Sequence, residues 1–126
     1  PLYSSAASDV YKRQIFIQIV ERIEMDIISG KYKPGDKLPS VRDLAAEAAV
    51  NPNTMQKAFT ELERTGLVFS QRTTGRFITE DTSMIDELKS TLAKDKITEL
   101  LSFMQQLGFQ ENEILAMIGQ TMKGEK

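Results

Sequence analysis

The chain has 126 residues, 40% hydrophobic and 27% charged, as expected of one soluble domain or a small domain with an appendage. It contains no cysteine, histidine or tryptophan. Disulfides, Cys/His metal sites and imidazole-assisted nucleophiles are therefore excluded, which leaves only carboxylate, lysine or metal-carboxylate chemistry. The net charge of -2 conceals an asymmetry. Residues 10–80 hold eleven basic and nine acidic side chains, whereas residues 81–126 hold five basic and eight acidic ones. Such a total argues against strong non-specific nucleic-acid binding, but a local basic face is still allowed, and a local field decides binding more than the total does. Apolar runs such as Ile15-Phe16-Ile17 are too short to span a bilayer. With no charged-then-apolar leader, the expectation is a cytoplasmic protein without membrane contact.

Residues 1–14, PLYSSAASDVYKRQ, are small, polar and aperiodic, and read as a disordered or non-native lead. A first helix is predicted from about Ile15 to Ser29, with Phe16, Val20, Ile23 and Ile27 as its apolar stripe and Ile19 and Ile28 widening it. Gly30 is its expected stop, and Pro34-Gly35 marks a turn. Lys37-Leu38 has room only for a very short strand.

A second helix should begin at Ser40, which has the S-x-x-D spacing of a capped start with Asp43. Val41, Leu44, Ala45 and Ala48 form its expected buried side, and it must end near Ala49-Val50. Asn51 as cap and Pro52 in the first position open a third helix, with Met55, Ala58, Phe59 and Leu62 inward and Gly66 at its close. Leu67–Ser70 and Arg76–Thr79 then read as strands joined by the polar loop Gln71–Gly75, a β-hairpin with a basic tip. Two further helices, about Ser83–Leu107 and Asn112–Lys123, are separated by Gly108.

The expected fold is mainly α with a small β-hairpin. It comprises a winged helix-turn-helix DNA-binding domain over residues 15–80 and a two-helix dimerisation tail over 81–126. On the outer side of the third helix stand Asn53, Thr54, Gln56, Lys57 and Thr60, none of them acidic. Asn and Gln can pair with adenine, Thr can meet a thymine methyl or a phosphate, and a helix N-terminus suits phosphate. Arg42, Arg72 and Arg76 lie nearby in sequence, and no acid occurs between Arg64 and Ile78. Taken singly, these residues could be a solvated helix face, an edge-strand guard or surface ion pairs. Their joint order is what points to DNA.

The stretch Ile28-Ser-Gly-Lys-Tyr-Lys-Pro-Gly-Asp-Lys-Leu-Pro-Ser-Val-Arg-Asp-Leu-Ala45 closely resembles the GntR family of bacterial transcription regulators. Val50-Asn-Pro-Asn-Thr54, Ala58, Glu61-Leu-Glu63 and Gly66-Leu67 continue the likeness, which covers about Phe16 to Thr79, half of the chain. The short tail is similar to that of the YtrA-type subfamily. The resemblance implies that Arg42, in the P-S-x-R motif, contacts DNA and that Ser40 donates to phosphate. It implies that Asn51, Pro52, Asn53 and Thr54, followed by Gln56 and Lys57, open the recognition helix. It assigns Arg72, Thr73, Thr74, Gly75 and Arg76 to a wing tip in the minor groove. Three features depart from the family pattern. Ala49 stands where a turn glycine is usual, which implies a different or strained turn. Phe16 replaces a tyrosine, and residues 1–14 do not match.

The tail is too short to hide its own apolar face, which can pack back on the winged helix or pair with a second copy. A two-fold dimer suits an inverted-repeat operator and favours the second, through Leu88, Leu92, Leu100, Phe103, Met104, Leu107, Ile114, Leu115 and Ile118. Four of the six methionines lie in this tail, among them Met104, Met117 and Met122; core filling accounts for them, and nothing in the sequence supports a small effector bound between its helices. The expected protein is a homodimeric repressor of double-stranded operator DNA with no cofactor and no metal. The alternative is a winged-helix protein-interaction module on a dimeric helical scaffold. An enzyme would need the acids Asp81, Asp86 and Glu87 to converge, and the last two point to different sides of a helix.

Overall fold

The computed structural model describes the backbone of residues 5–124 and the side chains of residues 14–124. In chain order the elements are α1 (Ser5–Ile28), α2 (Val41–Ala48), α3 (Pro52–Arg64), β1 (Val68–Gln71), β2 (Gly75–Ile78), α4 (Thr82–Gln106) and α5 (Glu111–Met122). The chain divides into two compact units, one ending at Leu88 and the other beginning at Lys89.

In the first unit, Ile19, Ile23 and Ile27 of α1 meet Leu44 and Ala45 of α2 and Met55, Ala58, Phe59 and Leu62 of α3 in one core, closed by Leu38, Leu67, Val68 and Ile78. Two expectations for α1 are corrected. Its stripe is centred on Ile19, Ile23 and Ile27, spaced four apart, while Phe16 and Val20 are only half-buried at its edge. It also begins at Ser5, ten residues before the predicted start. Residues 5–14 contain no glycine or proline, so nothing in them halts a helix even though they lack an apolar period. The first four residues of the expected lead lie outside the described residues.

The caps follow the sequence. Ser40 Oγ accepts from the Asp43 amide at 3.1 Å, and Asn51 Oδ1 from the Asn53 amide at 2.7 Å. The end of α2 is unusual. The Val50 amide returns to the Ala45 carbonyl and the Ala49 amide to that of Ala46, a Schellman closure that puts Ala49 in the left-handed region at φ 55°. Gly66 and Gly108 close α3 and α4 with the same pair of bonds, but as glycines. Ala49 is thus the one non-glycine with positive φ among the described residues, as expected of an alanine in a glycine position. Ala48, expected inside, is exposed, because α2 stops there and its side chain borders an open cleft.

β1 and β2 pair antiparallel, from Val68 opposite Ile78 to Gln71 opposite Gly75. The connecting loop is therefore Arg72–Thr74, tighter than expected. Lys37 makes a single antiparallel bridge to Phe77, and the Leu38 amide donates to the Arg76 carbonyl at 2.8 Å. The very short strand foreseen at Lys37-Leu38 is thus reduced to a single bridge at Lys37. It lashes the segment leading into α2 to the wing.

Asp81 caps α4, accepting from the amides of Ser83 at 3.1 Å and Met84 at 3.3 Å. Met84, Ile85 and Leu88 pack on the first core, so that unit runs eight residues past the expected boundary at residue 80. In the second unit, the Phe109 amide closes on the Met104 carbonyl, and Met104 and Ile114 are buried on either side of this turn. Ile97, Leu100, Leu101, Phe103, Leu107, Leu115, Met117 and Met122 are all exposed.

Candidate nucleic-acid interface

The N-terminus of α2, the middle of α3 and the wing tip converge on one open cleft. Its lining includes Ser40, Arg42, Gln56, Thr73, Thr74, Gly75 and Arg76, seven of the residues expected at DNA. Local chemistry places them. The Ser40 cap orients the first turn of α2, so Arg42 projects outward and is exposed. Phe59, fully buried beneath the cleft, fixes the rotation of α3 and leaves Asn53, Gln56, Lys57 and Thr60 exposed. Thr54, expected on the same side, is half-buried. Asn51 uses its side-chain oxygen as the cap, and Pro52 stands beside it in the first turn. These two and Asn53, with Lys57 and Arg72, are exposed but outside the lining of the cleft.

The cations fall into two groups. Arg64 is paired with Glu61, and Arg76 with Glu63. Among the described residues, Lys37, Arg42, Lys57 and Arg72 take part in no ion pair. The pairing of Arg42 with Asp43 or Glu47 that sequence alone allowed does not form. The unpaired cations Lys37 and Arg42 line the cleft together with one acid that carries no ion pair, Asp43, whereas Glu61 and Glu63 of α3 are paired with Arg64 and Arg76.

Arg76 is the residue whose placement differs most from expectation. Its guanidinium binds the Glu63 carboxylate, lies 5.2 Å from the centroid of the Phe59 ring, and is only 27% exposed. Ser70 Oγ adds a second hydrogen bond to Glu63 at 2.9 Å. Arg76 therefore buttresses the wing against α3 and holds a wall of the cleft. Partial burial pushes the Glu63 carboxyl up, but the hydrogen bonds from Arg76 and Ser70 and the charge of Arg76 together hold it below its ordinary value.

Lys37 escaped the sequence reading. It lines the cleft against the wing, with its Cε 3.0 Å from where a Cβ on Gly75 would stand. Gly75, at φ 115°, leaves room for that stem as well as making the turn. The two residues are far apart in sequence, and no local pattern reveals the contact.

The winged-helix unit coincides with a family model. The model for "Bacterial regulatory proteins, gntR family" matches residues 17–78. The chain is also 39% identical over 103 residues to the HTH-type transcriptional regulator YhcF of Bacillus subtilis, covering 82% of this chain and 85% of that protein. The chain belongs to the GntR family. It is 41% identical over 93 residues to the HTH-type transcriptional repressor YtrA of the same organism, covering 74% of this chain and 67% of the relative. Among solved structures, a GntR family transcriptional regulator from Listeria monocytogenes superposes with a TM-score of 0.78 at 40% identity, over 84% of this chain and 93% of that one. A transcriptional regulator from Oenococcus oeni gives 0.71 at 25% identity, over 86% and 90%.

This GntR-family chain is thus a transcriptional regulator whose first unit is a DNA-binding winged helix. The family is one of regulators and not of enzymes, which sets the carboxylate-enzyme reading aside. Asp81, one of the acids considered for it, is the cap of α4. No helix among the described residues is long and apolar enough to cross a membrane.

Proposed function

We propose that this GntR-family regulator is a homodimeric repressor that binds an inverted-repeat operator in the cytoplasm. Helix α3 enters the major groove with Asn53, Gln56 and Lys57 forward, Arg42 takes the flanking backbone or a base edge, and Arg72 with Thr73 and Thr74 reaches the adjacent minor groove. The carrying observation is the cleft in which α2, α3 and the wing tip present Arg42, Gln56, Thr73 and Thr74 together, while Asn53, Lys57 and Arg72 are exposed outside its lining. The likeness to YtrA, named a repressor, supports repression over activation.

The dimer rests on the second unit. Phe103, Leu107 and Leu115 are 58%, 59% and 64% exposed there, more apolar surface than a two-helix unit leaves to water without a partner. Leu100 joins them, and Leu92 and Ile118 are half-buried. Leu88, Met104 and Ile114, considered for the same interface from sequence, are occupied within the chain: Leu88 by the first core, the other two at the α4–α5 turn.

The test is selection from a random duplex library, followed by binding to the selected duplex across a salt series. The expected result is an inverted repeat bound by two chains, with a steep salt slope reduced in Arg42→Ala. Enrichment of a single half-site bound by one chain would remove the dimer. Binding with no salt slope would remove the DNA face and favour a protein partner.

A further inference from the structure

We propose that Lys37 is a DNA phosphate-binding residue, a clamp that holds the backbone strand running between the groove occupied by α3 and the groove occupied by the wing. The inference rests on the proposed DNA face and adds to it a residue that is neither on the recognition helix nor on the hairpin.

Three observations carry it. Lys37 bridges to Phe77, and bridge partners share a face of the sheet, so the backbone sets the face from which its side chain leaves. Its aliphatic stem then crosses Gly75, with Cε at 3.0 Å and Nζ at 3.8 Å from the position of a Cβ there, which carries the ammonium to the wing tip. Finally, that ammonium has no carboxylate partner among the described residues, although acids pair with Arg64 and Arg76 close by. Lysine is a compact point charge with three rotatable donors and no fork, which suits a phosphate oxygen better than the paired acceptors of a guanine edge. Lys37 lines the same cleft as Arg42, Thr73 and Thr74, so a duplex seated there passes its backbone over all four.

The expected signature is a change in salt dependence. One phosphate contact contributes about 0.9 to the slope of log affinity against log salt, so its loss weakens binding roughly fivefold per bound chain at physiological salt, and roughly thirtyfold where two chains share the duplex. The loss per chain is the same on every sequence. The experiment measures binding of the full chain to a mixed-sequence duplex and to the library-selected duplex over a salt series, for Lys37→Gln, Lys37→Met and Lys37→Arg, with Arg42→Ala alongside. Lys37→Met keeps the stem over Gly75 and removes only the charge, which separates charge from packing. Melting curves check that each variant is folded.

The proposal expects both neutral variants to lower the slope by about one per bound chain on both duplexes, hence by about two on a selected inverted repeat carrying two chains, with Lys37→Arg close to wild type. An unchanged slope in the neutral variants, with a reduced one in Arg42→Ala, overturns the Lys37 clamp and leaves the DNA face standing. Unchanged slopes in all variants overturn both. A loss confined to the selected duplex overturns the phosphate assignment in favour of a base contact.

Discussion

The two units handle apolar surface in opposite ways. The winged helix gathers thirteen buried apolar side chains into one core, with Phe59 and Ile78 fully enclosed. The tail buries Met104 and Ile114 and leaves eight large apolar residues, from Ile97 to Met122, in water. The first unit is stabilised by its own contacts. The second leaves a large apolar surface uncovered, which is what the proposed second copy would bury.

The largest effect should come from Phe59→Ala, which empties the centre of the first unit and removes the ring beneath Arg76. Chemical denaturation should show a loss of about 3–5 kcal/mol, with DNA binding lost as well. A cost below about 1 kcal/mol would mean the first unit is not held by this core. Next, Phe103→Glu should leave the winged helix folded but break self-association. Sedimentation should show at least a tenfold weaker dimer, since each copy loses the burial of a phenyl ring, about 1.5–3 kcal/mol. If the chain stays dimeric, its partner surface lies elsewhere and the contrast between the units fails.

A smaller and opposite effect is expected at Ala49→Gly. The left-handed conformation costs alanine roughly 1–2 kcal/mol, and the added freedom of glycine in the unfolded chain returns part of that. The net stabilisation should be about 0.5–1 kcal/mol in a denaturant titration. Destabilisation would show that Ala49 is not strained in solution.

The smallest effect concerns pH. The folded-state pKa of Glu63 lies below the ordinary value of 4.5, so its ionised form stabilises the fold above that value. That contribution falls away as pH drops through the folded pKa. Glu63→Gln cannot titrate, so its stability should vary less than wild type between neutral pH and the acid range. Because Glu63 is partly solvated, the difference should be small. Parallel pH profiles would sink the idea that the Arg76–Glu63 pair braces the wing.

Much of this architecture could be read from short windows. Ser40, Asn51-Pro52, Gly66 and Gly108 mark helix ends through bonds spanning five residues or fewer, and the structure keeps all of them. The hairpin was equally plain from its strand content and its turn. The strain at Ala49 was legible only through the family resemblance, in which a glycine is usual at that turn. The extent of α1 was not, because the segment before Ile15 is helix-permissive without a buried face, and periodicity detects only the face.

The site divides in the same way. That Arg42, Gln56 and the wing tip belong together was implied by their order in the chain. Which cations are available was not. Arg72 and Arg76 look alike in sequence, yet Arg76 is held by Glu63, thirteen residues away, and Arg72 carries no ion pair. Lys37 reaches Gly75 only because the bridge to Phe77 aligns the two segments. Likewise, Leu88 and Leu92 both sit on one apolar face of the predicted tail, but Leu88 packs on the first core.

The amino-acid sequence by itself determined the order of the elements, their caps, the family and the face proposed to meet DNA, because these follow from backbone geometry and side-chain chemistry within a few residues. Only the tertiary structure decided which charges are neutralised, which apolar side chains remain uncovered and where the first unit ends. Ion pairing and burial depend on segments that folding brings together from distant parts of the chain, and no local pattern encodes their meeting.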